Sequence, residues 1–251
     1  MRARVLVFSA VLLLGVAGCG GAVPQPRPGQ LLYVTTFDAY NEDWQQFEGR
    51  LSAKVVGGGA NPVIQITIDD VQEGAFTLLD QVFGDFDLIV EATQVAGPDN
   101  NGFGVIFRHQ DNRNFYLFMI SGDGYYQVVR RLDGVDEVLS DWAPTLLIRQ
   151  GQATNAIRVI ARGSRFAFLI NDEQVPLCPT LWNPVVPGDC LEAQTTMHLV
   201  DSSFAQGRIG LGARSFDQSG VVVAFDNMII CGPQETPPVP YRCEEALADA
   251  P

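Results

Sequence analysis

Residues 102–126 read GFGVIFRHQDNRNFYLFMISGDGYY, apolar runs cut by small polar turns. Phe103, Val105 and Phe107 alternate with Gly104, Ile106 and Arg108, the period-two pattern of a half-buried β-strand. Asp111-Asn112-Arg113 then supplies a turn. Phe115 to Ile120 is apolar on both faces, as expected of a central strand covered on both sides. Gly122-Asp123-Gly124 is a second turn, rich in residues that tolerate positive φ. Outward from this segment the same grammar repeats. In DFDLIVEAT (85–93), Phe86, Leu88, Val90 and Ala92 share one face, while Asp87, Glu91 and Thr93 share the other. Further strands are expected at Leu31–Phe37, Arg50–Val56, Val63–Ile68, Phe76–Leu79, Tyr125–Leu132, Val135–Trp142, Asn155–Arg162, Arg165–Asn171, Arg208–Ala213 and Val221–Ile230. Asp133-Gly134 and Asn171-Asp172 read as hairpin turns. The spacing leaves no room for the crossover helices of a parallel sheet. An all-β, two-sheet antiparallel β-sandwich follows. Residues 172–206 break the rhythm with an irregular, Pro-bearing stretch that holds Cys178 and Cys190.

The segment 102–126 resembles bacterial extracytoplasmic domains of the concanavalin A-like lectin/glucanase type, whose recurring core reads GVVFRYQD…NYYLF.ISGDGYY. Asp141-Trp142, Asn155-Ala-Ile-Arg-Val159, Phe168-Leu-Ile-Asn171, Gly207-Arg-Ile-Gly-Leu-Gly212 and Phe225-Asp-Asn227 follow in matching order, so the resemblance spans roughly 31–231. It is nearest the 3-keto-disaccharide hydrolase-like, or laminin-G-like, group. It implies a jelly roll whose concave sheet often faces carbohydrate. It speaks to fold rather than activity, because such folds host lectins, hydrolases and adhesion modules alike.

The first 18 residues have the form of an export signal. Arg2 and Arg4 precede an apolar run from Val5 to Val16, too short for the roughly 20 residues a membrane span needs. Val16-Ala17-Gly18-Cys19 reads as a lipobox, with Cys19 as the lipidated N-terminus after cleavage. Residues 19–30 form a Gly/Pro tether, 31–231 the jelly-roll domain and 232–251 a C-terminal tail. The expected location is outside the cytoplasm, lipid-anchored to the cell membrane. Setting Cys19 aside leaves four of the five Cys. In an oxidising compartment these are disulfide candidates, and of three connectivities the local pairs Cys178–Cys190 and Cys231–Cys243 are preferred. Zinc is the rival, disfavoured because no Cys-x-x-Cys occurs.

Composition narrows the function. Sixteen Lys and Arg against 29 Asp and Glu give −13, which argues against binding a phosphate backbone. The glucanase Glu-x-Asp-x-x-Glu pair is absent, Glu91 and Glu137 read as solvent-facing, and His109 and His198 belong to no nucleophile motif. Catalysis by those routes is disfavoured, which leans the reading toward a non-catalytic module and leaves a loop-borne acid pair as the catalytic alternative. Arg108, Tyr116, Tyr126, Arg130 and Trp142, on consecutive hairpin strands, are the candidate sugar-binding patch, because aromatic faces stack on sugar C–H patches and Arg binds hydroxyls. The alternative is that these aromatics are core and the arginines cover the sheet. Calcium is a candidate cofactor at Asp38 and Asp226 if first and last strands pair. The leading reading is an anchored module binding carbohydrate or another envelope component. A glycoside-processing enzyme and a protein-binding adhesion module are the alternatives.

Overall fold

The structure is a computed structural model that describes residues 23–37, 42–57, 61–179, 195–237 and 240–243. In chain order its strands are β1 (Leu31–Thr35), β2 (Leu51–Val56), β3 (Val63–Ile68), β4 (Gly74–Phe83), β5 (Phe86–Ala96), β6 (Asn101–Asp111), β7 (Asn114–Ile120) and β8 (Tyr125–Leu132). They continue with β9 (Val135–Pro144), β10 (Thr154–Arg162), β11 (Arg165–Ile170), β12 (Glu173–Gln174), β13 (Leu199–Val200), β14 (Gly207–Ser215) and β15 (Val221–Cys231). No helix occurs among the described residues.

The strands form two antiparallel sheets packed face to face, as the alternation predicts. One has six strands in the order β4-β14-β6-β7-β8-β9. The other runs β12-β11-β10-β5-β15-β3-β2, with β1 added on β15 and β13 on β11. Phe86, Leu88, Val90 and Ala92 all point inward and are fully buried, as are Phe103, Val105 and Phe107 from the facing sheet. Phe107 stacks on Tyr116 at 5.1 Å between centroids and meets Phe166 edge-on at 5.3 Å. Each such ring contributes about 2–3 kcal/mol by leaving water, more through its aromatic neighbours. Asp133 and Gly134 (φ 52° and 86°) and Asn171 and Asp172 (φ 50° and 70°) turn their hairpins with two consecutive positive φ values. Those are the primed turns whose twist matches the flanking strands.

Three differences from the sequence reading have local causes. Strand β4 runs on past Leu79, because Asp80, Gln81 and Val82 stay exposed at its end and hide the alternation. Two-residue β12 and β13 lie within the irregular 172–206 stretch, too short to carry a period. The third is Arg108, expected on the opposite face from Phe107. It has φ 50°, and the β6–β7 register shifts between Phe107 and Asp111. This bulge turns its side chain inward, where only 1% is exposed. Gly207 lies against it, and a Cβ there would overlap the Arg108 backbone.

Both ends of the described chain, at Val23 and at Cys243, pack on the fold. Val23 donates to Gln206 Oε1 at 2.9 Å, Gly29 N–H donates to the Gly232 carbonyl, and Gly232 N–H donates to the Gln30 carbonyl. At the other end, Cys231 and Cys243 form the expected disulfide. Cys178 is also disulfide-bonded; Cys190 lies outside the described residues. The disulfide is not the tail's sole attachment. Tyr241 donates to the Asp87 carbonyl at 2.5 Å, and its ring lies 4.6 Å from the Arg158 guanidinium. Below it, Arg158 grips Asp87 through two bonds of 2.8 and 2.7 Å.

Gly207→Ala should therefore destabilise the domain by about 2 kcal/mol or more, the range of a forced backbone shift. Urea denaturation of the variant, set against Gly151→Ala where nothing lies within 4 Å of the added carbon, checks it. Gly151 has φ 69°, so this control carries the backbone strain of positive φ without the collision.

Candidate functional site

The strand register does bring the sequence-derived candidates to one face. Tyr116 lies opposite both Phe107 and Arg130. That face, however, is the inner one. Tyr116 and Tyr126 are 0% and 2% exposed. The Tyr116 hydroxyl donates to Asp201, and that of Tyr126 to the Pro176 carbonyl. Arg130 bonds Asp201, Ser203 and Glu137. Arg108 donates to the Phe204 carbonyl at 2.7 Å and sits 5.0 Å from the Phe166 ring. Tyr116, Arg130 and Arg108 thus tie the segment 201–204 onto the sandwich, Tyr126 ties Pro176, and both tyrosines are buried away from any ligand. Period-two alternation tells which residues share a face, not which face meets water. Burial pushes the Tyr126 hydroxyl up to about 12. At Asp201, burial raises the carboxyl, but bonds from Tyr116 and Ser203 together with the charge of Arg130 outweigh it, leaving it below the ordinary carboxylate range.

Of the five, Trp142 alone lies on the outer face of the six-stranded sheet. A cleft of about 240 Å³ runs across that face. Its floor is apolar: Phe76 from β4, Ile106 from β6, Phe115, Leu117 and Met119 from β7, and Val129 from β8. These follow from the same alternation, since they are the residues between the inward rows. Gly212 keeps the floor low, because a Cβ there would sit 3.3 Å from Ile106 Cδ1. The rim is charged. Arg131 holds Asp136 through two bonds of 2.6 and 2.9 Å while lying 5.4 Å from the Phe115 ring. Arg214 approaches the same carboxylate at 3.7 Å, and Glu73 completes the rim. Arg214 is 42% exposed, so its remaining donors are open to a ligand.

Met119 and Gly102 lead from this cleft to a second hollow at the end of the sheet. Gly102 packs toward Met119, Phe216 and Trp142. Trp142 and Phe216 stand edge to face at 6.0 Å, and Tyr125, Asn100 and Asp123 complete the hollow. The outer face thus offers one apolar trough with aromatic side chains at both ends and hydrogen-bonding groups along its edge. Phe115, Arg131 and Arg214 were not singled out by the sequence reading; their signal was the outward half of strands whose inward half had been chosen.

The other expectations fall elsewhere. His109 is buried against Phe76 and Phe115, and burial lowers its pKa. His198 lies on the opposite sheet, beside β13. Glu91 accepts a bond from Asn227. Asp38 lies outside the described residues. Asp226 sits in β15 opposite Glu91 and accepts the Asn227 backbone N–H. Among the described residues no three His, Cys, Asp or Glu side chains converge as metal ligands.

A scan of protein-family models and a search of curated proteins found no match. Solved structures are similar in fold. A galectin-like protein of unknown function from Bacillus subtilis aligns with a TM-score of 0.57 at 8% identity, over 82% of this chain and 97% of that one. The carbohydrate-binding module CBM66 from Bacillus subtilis aligns at 0.52 with 18% identity, over 75% of this chain and 94% of that one. The Crh5 transglycosylase aligns at 0.53 with 11% identity, over 85% and 90%. At these identities the likeness is one of fold, the β-sandwich already evident in the two sheets.

The low pKa of Asp201 has a consequence for acid stability. Its contribution is complete above the unfolded carboxylate value of about 3.9 and is lost as pH falls through the lower folded value. Asp201→Asn should cost about 1–3 kcal/mol at pH 7 and flatten the loss of stability below about pH 4. Denaturant titrations from pH 7 to pH 2.5 measure both.

Proposed function

We propose that the protein is an exported, lipid-anchored module that binds carbohydrate non-catalytically on the outer face of its six-stranded sheet. The trough carries this reading. Sugar rings present flat C–H patches and a girdle of hydroxyls, so they suit an apolar, partly aromatic floor beside fixed charged donors and acceptors. The half-buried Phe76 and Trp142 supply the surfaces, with the buried Phe115 in the floor between the strands. Arg131, Asp136 and Arg214 supply a planar hydrogen-bonding edge that is held in place before any ligand arrives, which limits the ordering cost of binding. The fold likeness to a carbohydrate-binding module supports the same reading.

A non-catalytic role is favoured by two features. The glucanase carboxylate motif is absent from the sequence, and both oxygens of Asp136 are engaged by Arg131. Anchoring rests on the lipobox at Cys19 and on the tether after it. The disulfide between Cys231 and Cys243 suits an oxidising compartment. The finer assignment, to the 3-keto-disaccharide hydrolase-like or laminin-G-like group, rests on the motif at 102–126.

Thermal melting against a panel of neutral and acidic oligosaccharides is the test. A ligand of the native state should raise the melting temperature with concentration, adding about 2.7 kcal/mol of stability at a hundredfold excess over its Kd. Arg214→Ala and Trp142→Ala should each weaken that ligand tenfold or more while melting normally without it. Tyr126→Phe, inside the core, should leave the affinity unchanged. No shift with any sugar would overturn the reading for those ligands, and release of reducing ends would move it to the glycoside-processing alternative.

A further inference from the structure

The opposite face of the molecule carries a second cavity, of about 490 Å³, on the outer side of β10 and β11. Its floor is Ile160, Ala167 and Leu169, an apolar cluster separate from the main core. One end is basic. Arg162 and Arg165 are cross-strand partners flanking the Gly163-Ser164 turn, and His198 lines the same cavity. Like charges placed directly opposite one another on a sheet repel. In a chain with 29 acids and a net charge of −13, such a pair is expected to recruit a carboxylate. Among the described residues neither arginine forms an ion pair.

The neighbouring carboxylates explain why. Asp87 feels the charge of Arg162, but its two oxygens are taken by Arg158. Glu235, on the tail, and Asp172, by the far turn of β11, line the cavity without closing on either arginine. The Arg162 Nη2 group is buried and has no hydrogen-bond partner. A buried guanidinium donor left unpaired costs about 1–3 kcal/mol or more, and a ligand acceptor would recover that cost. His198 titrates below its ordinary value, through burial first and then the charge of Arg165, which fits a pocket end dominated by positive charge.

We propose that this cavity is a binding site for a small amphiphilic anion, with a carboxylate or phosphate head on Arg162 and Arg165 and an apolar body over Ile160, Ala167 and Leu169. Arginine's planar fork matches either head through paired hydrogen bonds. The tail residues Gln234, Glu235 and Pro237 form one wall, and the Cys231–Cys243 bond with Tyr241 ties the tail to the sheet. The site lies on the sheet opposite the proposed sugar trough and stands independently of it.

Calorimetric titration of the full chain with hexanoate, hexyl phosphate, inorganic phosphate and hexanol tests the proposal. Saturable binding of hexanoate or hexyl phosphate is expected, with the comparison between them identifying the preferred head. Binding should weaken at least tenfold in Arg162→Gln and in Arg165→Gln. Ala167→Met, which fills the floor without altering charge, should weaken it as well, and Trp142→Ala should not. Arg165 is exposed, so its variant keeps the fold, and matched melting curves verify this. Absence of saturable binding, or binding undiminished in both arginine variants, would overturn the site. Inorganic phosphate or hexanol binding as tightly as the amphiphilic anions would overturn its two-part character.

Discussion

One residue leaving the pleat organises the end of this sandwich. Arg108 takes a left-handed backbone conformation in the middle of β6, a conformation that costs about 1–3 kcal/mol outside glycine. It carries a guanidinium into a space lined by Phe107 and Phe166. Burial pulls its pKa down, and Asp85 pushes back. A buried arginine keeps its charge, so leaving that charge unanswered would cost the fold several kcal/mol. The answer is built from three sides: the Asp85 carboxylate, the Phe204 carbonyl and the Phe166 ring. Each belongs to a different segment, so the cation fixes the β4–β5 connection, the 201–204 segment and β11 against one another. The Tyr116–Asp201–Arg130 network extends the same closure. Gly207 is the permissive half of the arrangement, since the bulge needs a partner strand without a side chain at that point.

Closing the inner space in this way leaves the two outer faces free to differ. The six-stranded sheet shows Phe76, Phe115, Leu117 and Val129 to a charged rim. The other sheet hides its own ion pair. Arg158 and Asp87 are 1% and 3% exposed and lie beneath Tyr241. A buried pair of this kind is at best neutral against an apolar replacement, yet costly to break from one side. The tail keeps water from it, which gives the disulfide at Cys231–Cys243 a definite physical role.

The alternation in residues 85–93 and 102–132 was enough to place nearly every strand and to name most of the core, because burial on one face imposes period two directly. The trough was less legible for a related reason. In Phe115–Ile120 both faces are apolar, so nothing in the sequence distinguishes Tyr116 and Phe118, which pack inside, from Phe115 and Leu117, which floor the cleft. Polar tips on Tyr116 and Tyr126 suggested a wet surface, whereas both hydroxyls find partners inside the sandwich. Arg108 misled differently, since a bulge at a non-glycine residue leaves no mark in the alternation before it. Arg131 and Asp136 face each other across β8 and β9, a relation that required the hairpin register. Arg162 and Arg165 were visible as neighbours across a turn, but their lack of a partner was not.

The N-terminal segment and the aromatic hollow meet the same strand at opposite tips. Val23 is pinned to Gln206, one residue before β14 begins, and Phe216 follows one residue after it ends. Nine residues of strand separate them, about 30 Å at the rise of an antiparallel strand. Strand β14 is thus a rigid mast. Trp142, Phe216 and Tyr125 stand at the tip of this mast farthest from the Val23 contact. The hollow and the leading segment are thus held a full strand apart, and a change at one tip leaves the contacts of the other in place.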